Sequence, residues 1–538
     1  MKTILFDQKK IVFFIFFIFL VIGFKCIDDY GVSSDEYNSR VKGFTTLKYV
    51  GEKVSPELTK KFSKDKVFES LHKTHLKYYG VVYEAPAAFL EVILGIEDKN
   101  NQFKLRHYLN FIIFFISLIF FYKLLNNRFN NWQLSILGVL MIFLSPRIFA
   151  NSFYNNKDII FLSFFILSLY YSFRFIEKDT NKNVILSALF AALAIDVRIP
   201  GIVIPAVLSL VYFLFKFKSG YHIKNIFKQL IKYFFFLGLF IIIFWPYLWS
   251  NPIKNFYEAF LQMSSYPHEV YNLFKGEYIL STNVPIDYLP TWIIYTTPIT
   301  YILFFVVGFL YLLKTFFTDK NFLQNKNINK DFFIFTTLLF ILFSTIILGA
   351  TLYNGWRQLY FVYPLIIYIS IFAIFKILNK FSKKANFLVT FIFLISFSHT
   401  TYWMIKNHPH QYVYFNFLAG KNFSDKFEMD YWGLSYKKNI EFILDYQKAG
   451  KINLFNISHY KLHHSLWIFS NEERNRINLV RSPVDADYII TNYYYYYVNP
   501  DPTKGFKNSK MKDFSTKELQ IINDIKVDGV SINTLFKK

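Results

Sequence analysis

The sequence predicts a polytopic α-helical membrane protein, with about eleven transmembrane helices and a small C-terminal α/β domain. Three observations predict it. Hydrophobic residues make up 54% of the 538 positions, above the roughly 45–50% usual for soluble domains. The excess sits in apolar runs close to bilayer length, which alternate with Lys/Asn-rich segments between residues 11 and 404. From Lys406 onward the pattern changes to short helix and strand signals. The expected division is a membrane domain over 1–404, containing a long outer loop at 27–106, and an extracytoplasmic domain over 405–538.

The elements follow in order. The first run, about residues 9–26, is preceded by Lys2, Lys9 and Lys10 and lacks a small-x-small cleavage site near Cys26. It reads as an uncleaved span with a cytoplasmic N-terminus. The loop after it carries two amphipathic stretches, Val67-Phe68 to Leu71 and Tyr83 to Leu94, the second suited to lying on the membrane surface. Spans two to four are expected at about 107–125, 132–149 and 159–175, with an outer loop from Ser145 to Asp158. Val184 to Phe215 exceeds one crossing and divides at Asp196–Gly201 into spans five and six. Lys216, Lys218, Lys224, Lys228 and Lys232 then mark a cytoplasmic segment. Spans seven to eleven are expected near 233–249, 291–313, 331–350, 359–378 and 386–404, leaving the C-terminal domain outside. That domain shows a helix at Lys437–Lys448, strands at Ile452–Ile457 and Ala486–Tyr493, and a hairpin turning at Asp528-Gly529.

Charge narrows the function. The net charge of +23 is carried by loops between spans, which the positive-inside rule explains without a nucleic-acid partner. A lone cysteine, Cys26, excludes an intrachain disulfide and argues against a Cys-based metal site. The His408/His410 and His463-His464 pairs lack the partner pattern of a metal centre, so no metal or other cofactor is expected. The Tyr493–Tyr497 run reads as a strand edge or interface.

The charged residues expected on the outer face are Asp35, Glu36, Lys157, Asp158, Arg198 and Arg357. Carboxylates beside fixed cations suit sugar transfer from a lipid phosphate. A cation stabilises the leaving phosphate, and a carboxylate takes the proton of the attacking hydroxyl. Each residue also has a plain structural reading. Asp35-Glu36 can be a solvated pair, Lys157-Asp158 a helix start, Arg198 a span end and Arg357 an interfacial anchor. A transporter or flippase of lipid-linked sugars is the alternative, but transporters place ionisable groups near the bilayer midplane, and these spans carry few there.

Several segments carry a family resemblance. They are the loop-one Asp35-Glu36 pair, Ser145-Pro146-x-x-Phe149-Ala150-x-Ser152 with Asn156-Lys157-Asp158, and Asp196-Val197-Arg198-x-Pro200-Gly201. Further along come Gly355-Trp356-Arg357-Gln358, His408-Pro409-x-Gln411 and Asp430-Tyr431-Trp432-Gly433. In order and placement they resemble GT-C class membrane glycosyltransferases of the protein O-mannosyltransferase and aminoarabinose transferase group (glycosyltransferase family 39-like). Gln358 stands where bacterial members have His.

The resemblance implies an inverting transferase moving a sugar from a polyprenyl-phosphate donor to a hydroxyl of a protein, lipid or glycan acceptor, at the outer face of a bacterial inner membrane. It implies Asp35 as catalytic base with Glu36 assisting, Arg198 and Arg357 at the donor phosphate, and Lys157 and Asp158 contacting substrate.

Overall fold

Helices of about 20 apolar residues satisfy every backbone polar group internally, as a bilayer requires. The computed structural model describes the chain except residues 1–7, 58, 60–69, 265–268, 320–321, 381, 459–460 and 495–518. Among the described residues nine helices are long and apolar enough to cross a membrane, and a bent pair makes a tenth. The chain is therefore a multi-pass membrane protein. The expected fifth span is the helix Asn181–Val197, whose 17 residues fall short of the roughly 20 a crossing takes.

The bent pair corrects the expected third span and the loop after it. Trp132–Phe143 stops at Ser145, and Pro146 opens a second helix, Pro146–Tyr154, turned by 68°. Pro suits that first position because its missing N–H has no helical partner there. All nine residues of this short helix are buried. The first part of the expected loop, Pro146–Tyr154, is thus a packed helix.

Loop one is also more ordered than a surface loop. A helix at Ser34–Val54 begins with a capping box, in which Ser33 and Glu36 satisfy each other's backbone N–H groups. The helix Glu84–Ile93 packs across it at Gly43, where a Cβ would collide with the Glu84 carbonyl oxygen. Phe89, Ile93 and Leu94 stay exposed, as an interfacial helix requires. The Val67-Phe68 stretch lies outside the described residues. The second span starts earlier than expected, at Lys99, because Asp98 caps it by accepting from the Asn101 N–H at 3.3 Å.

Helix Asp158–Glu177 fixes the two ends of the bundle. Its 20 residues span about 30 Å, with Asp158 at one end and Glu177 at the other. At the Glu177 end, Lys330 pairs with Glu177 at 2.5 Å, and Arg128 Nε donates to Asp331 at 2.7 Å. The other end carries Asp35, Lys157, Asp158, Arg198 and Arg357.

Beyond the last apolar helix the chain forms a five-stranded sheet in the order β4-β3-β5-β7-β6. Strands β3 (Ile452–Asn456), β4 (Ile477–Leu479) and β5 (Tyr488–Thr491) are parallel, and the hairpin β6–β7 (Gln520–Val527, Val530–Lys537) joins antiparallel. Helix Tyr436–Tyr446 covers it. The sequence did not signal β4, nor the hairpin β1–β2 (Tyr271–Phe274, Glu277–Leu280) in the outer segment before residue 290. Both are made of strands four residues long or shorter, too brief to show alternation.

Candidate active site

The site is built where three chain segments meet the start of helix Ser34–Val54. Asp35 sits in that helix's first turn, where the helix dipole favours a negative charge. Ser33 Oγ donates to the Tyr154 carbonyl at 3.4 Å and Ser39 Oγ to Asn156 Oδ1 at 3.2 Å. These two contacts dock that helix onto the end of Pro146–Tyr154. The Asp35 carboxylate then lies 4.0 Å from Lys157 Nζ and 3.5 Å from Arg357 Nη1.

Asp158 joins the remaining cations. It accepts from Arg357 Nη1 at 3.1 Å and is ion-paired with Arg198, while Asn155 Nδ2 donates to it at 3.0 Å. The Arg357 guanidinium is clamped further between Tyr353 and Trp432, each 4.9 Å from ring centre. Asp35, Lys157, Asp158, Arg198 and Arg357 therefore form one continuous ionic network.

Exposure separates the members. The side chains of Asp35, Arg198 and Lys157 are 27%, 18% and 17% exposed, whereas Arg357 is 3% and Asp158 is 0%. Asp158 is sealed between two guanidiniums, and Arg357 is buried between Asp35 and Asp158.

Glu36 points away from the network, to Ser33 and His107. Its Oε2 accepts from the Ser33 N–H at 2.6 Å, and its Oε1 is 2.8 Å from His107 Nε2. The side chain is 1% exposed. One carboxylate of the pair faces the network and its neighbour anchors the helix.

Loop one supplies support that the sequence reading missed. Lys42 Nζ pairs with Glu84 at 2.9 Å and donates to the Gly80 carbonyl at 2.9 Å. Burial pulls the Lys42 ammonium below its usual range, opposed by Glu84. Gly80 rests on Asp196, where a Cβ would collide with the Asp196 backbone oxygen, and Asp196 Oδ1 accepts from the Val82 N–H at 2.8 Å. This clamp holds the turn containing Arg198 against loop one. Asp35, Ser39 and Lys42 stand at i, i+4 and i+7, one helical face. That spacing was the available signal once residues 34–54 are read as a helix.

The histidines divide. His410 and His464 are buried, which lowers their pKa to about 3 and about 4. Cys26, Asp29 and His408 offer ligand atoms within 4.8 Å of one another. The hydrogen bonds favour an ion-free arrangement there. Gln411 Nε2 donates to the Met404 carbonyl at 3.0 Å and lies 2.8 Å from His408 Nδ1. It therefore donates to Nδ1 and leaves the proton on Nε2, which donates to Asp29 at 2.8 Å.

The chain thus threads a bundle of apolar helices, braces a partly exposed carboxylate with cations at the bundle's end and adds a sheet domain. Residues 85–249 match the dolichyl-phosphate-mannose-protein mannosyltransferase family. The fold is that of ArnT from Cupriavidus metallidurans. The apo crystal structure of ArnT superposes with a TM-score of 0.51 at 9% identity, covering 98% of each chain. The structure of the same enzyme bound to undecaprenyl phosphate gives a TM-score of 0.52 at 10% identity, again over 98% of each chain. No match emerges among curated protein sequences.

Proposed function

We propose that the protein is an inverting membrane glycosyltransferase that moves a sugar from a polyprenyl-phosphate donor to a hydroxyl acceptor. The observation that carries this reading is Asp35, a partly exposed carboxylate held 3.5 Å from Arg357 and 4.0 Å from Lys157 at the end of an apolar bundle. The likeness to an ArnT structure bound to undecaprenyl phosphate supports a lipid-linked donor.

In this reading Asp35 takes the proton of the acceptor hydroxyl as its oxygen attacks the anomeric carbon from the face opposite the phosphate. The bond from the anomeric carbon to the phosphate oxygen breaks, and its electron pair leaves on the lipid phosphate. Lys157 and Arg198, the more exposed cations, stabilise that charge. Arg357 aims Asp35, and Glu36 fixes the helix that presents it. A single base on one side of the sugar inverts the anomeric configuration, whereas retention needs a second carboxylate as nucleophile. The N-terminus is cytoplasmic in this reading, and the site and C-terminal domain lie outside a bacterial inner membrane.

The test is turnover by purified protein. Undecaprenyl-phosphate mannose and undecaprenyl-phosphate aminoarabinose are offered with membrane extracts as acceptor source, and release of undecaprenyl phosphate is followed. Release with inversion at the anomeric carbon is expected. Sugar-independent movement of the intact lipid across the bilayer, with no release, would mean a flippase instead.

A further inference from the structure

A cavity of about 360 Å³ opens between the C-terminal sheet domain and the outer hairpin β1–β2. This lies at the small end of the roughly 300–1,000 Å³ that ligand pockets occupy. Its lining includes Tyr278, Asp425, Glu428, Asn492, Tyr494 and Ser531. Carboxyl, amide and hydroxyl groups interleaved with tyrosine rings suit a polyhydroxylated ring. Hydroxyls find donors and acceptors, and the C–H faces find apolar surface.

The cavity adjoins the ionic network without belonging to it. Glu428 feels the Arg357 charge directly, and Arg357 braces Asp35. The Tyr494 hydroxyl donates to Asn354 Oδ1 at 3.4 Å, three positions before Arg357. Glu428 itself is 7% exposed; the Leu273 and Asn354 backbone N–H groups approach its carboxyl, yet its Oε2 has no hydrogen-bond partner among the described residues. A buried carboxyl oxygen left unpaired is costly. Burial also raises its pKa to about 8, so near neutrality it both donates and accepts, as a sugar hydroxyl does. Asp430, by contrast, is filled, accepting from the Leu434 N–H at 2.9 Å and from Ser435 and Asn492.

We propose that this cavity binds a pyranose unit of the acceptor, making the acceptor a glycan or glycolipid, with Glu428 as its buried polar contact. The inference rests on the transferase reading. Its placement argues for acceptor over donor. The lining comes from the sheet domain and the outer hairpin, segments outside the apolar helices, whereas a lipid-linked donor must keep its phosphate at the membrane surface by Lys157 and Arg198.

The test uses full-length protein in phosphatidylcholine nanodiscs, since glycoside detergents would compete. Saturation-transfer NMR is recorded with the methyl pyranosides of mannose, glucose, galactose and N-acetylglucosamine. At least one is expected to bind, with affinity falling fivefold or more in Glu428→Ala, which removes the polar contact, and in the cavity-filling Ser531→Trp, each variant checked for a cooperative melting transition. If Ser531→Trp does not fold, Glu428→Ala decides alone. Silence from all four glycosides, or equal binding in wild type and folded variants, overturns the proposal. Displacement of the glycoside by undecaprenyl-phosphate mannose would make the cavity a donor head-group site and overturns the acceptor assignment. Binding is read without turnover and is expected to persist in Asp35→Asn, so failure of the transferase reading remains separately visible.

Discussion

Arg357 Nη1 lies 3.5 Å from Asp35 and 3.1 Å from Asp158, so one buried guanidinium ties the accessible carboxylate to the sealed one. Asp35 arrives from loop one and Asp158 from the start of the helix Asp158–Glu177. Their separation in the chain is bridged by a single guanidinium nitrogen.

Asp35→Asn keeps the size of the side chain and removes the base. Transfer is expected to fall by about 10²–10⁴, with expression and melting temperature close to wild type. Wild-type turnover by the purified variant with a polyprenyl-phosphate sugar would refute the assignment.

Arg198→Ala removes an exposed cation while Arg357 still pairs with Asp158. The KM for the lipid-linked donor should rise on the order of tenfold, the scale of about 1.4 kcal/mol, with a smaller change for acceptor. Steady-state kinetics with each substrate varied in turn reads this out, and equal effects on both would argue against a phosphate contact.

Glu36→Ala loses the capping contact to Ser33 and leaves His107 without its partner. The expected cost is about 1–3 kcal/mol of stability, seen as a lower melting temperature. Turnover per folded molecule should stay within a few-fold of wild type. A loss as deep as that of Asp35→Asn, without destabilisation, would return Glu36 to the reacting groups.

Glu428 gives a pH signature. Its carboxyl is raised from 4.5 to about 8 in the folded protein. Between those values the folded state holds a proton that the unfolded state has released, so this group's contribution makes stability fall as pH rises. The melting temperature of wild type should therefore drop relative to Glu428→Gln from pH 5 to pH 8. Parallel melting curves for the two proteins across that range would show that Glu428 is ionised throughout.

Much of the architecture was legible in the chain. Apolar runs such as Ile223–Phe244 and Lys326–Ile347 must form helices, because lipid offers their backbone groups no other partners. The strands near Ile452 and Tyr488 and the turn at Asp528-Gly529 were equally readable, since alternation and turn chemistry are local. The residue types of the site were legible too, as charges stranded at one end of the bundle.

Which partner each charge meets is a matter of tertiary contacts. Asp35 and Glu36 are adjacent carboxylates in one helical turn, and no local rule separates them. Their directions differ by about 100° around the helix, so the fold turns Asp35 toward Lys157 and Arg357 and Glu36 toward His107. Asp158 carried the same charge in the sequence, yet two guanidiniums seal it from solvent. The sequence by itself determined that carboxylates and cations would gather where the apolar helices end. Only packing decided which carboxylate stays accessible, because burial and pairing arise from segments tens to hundreds of residues apart in the chain.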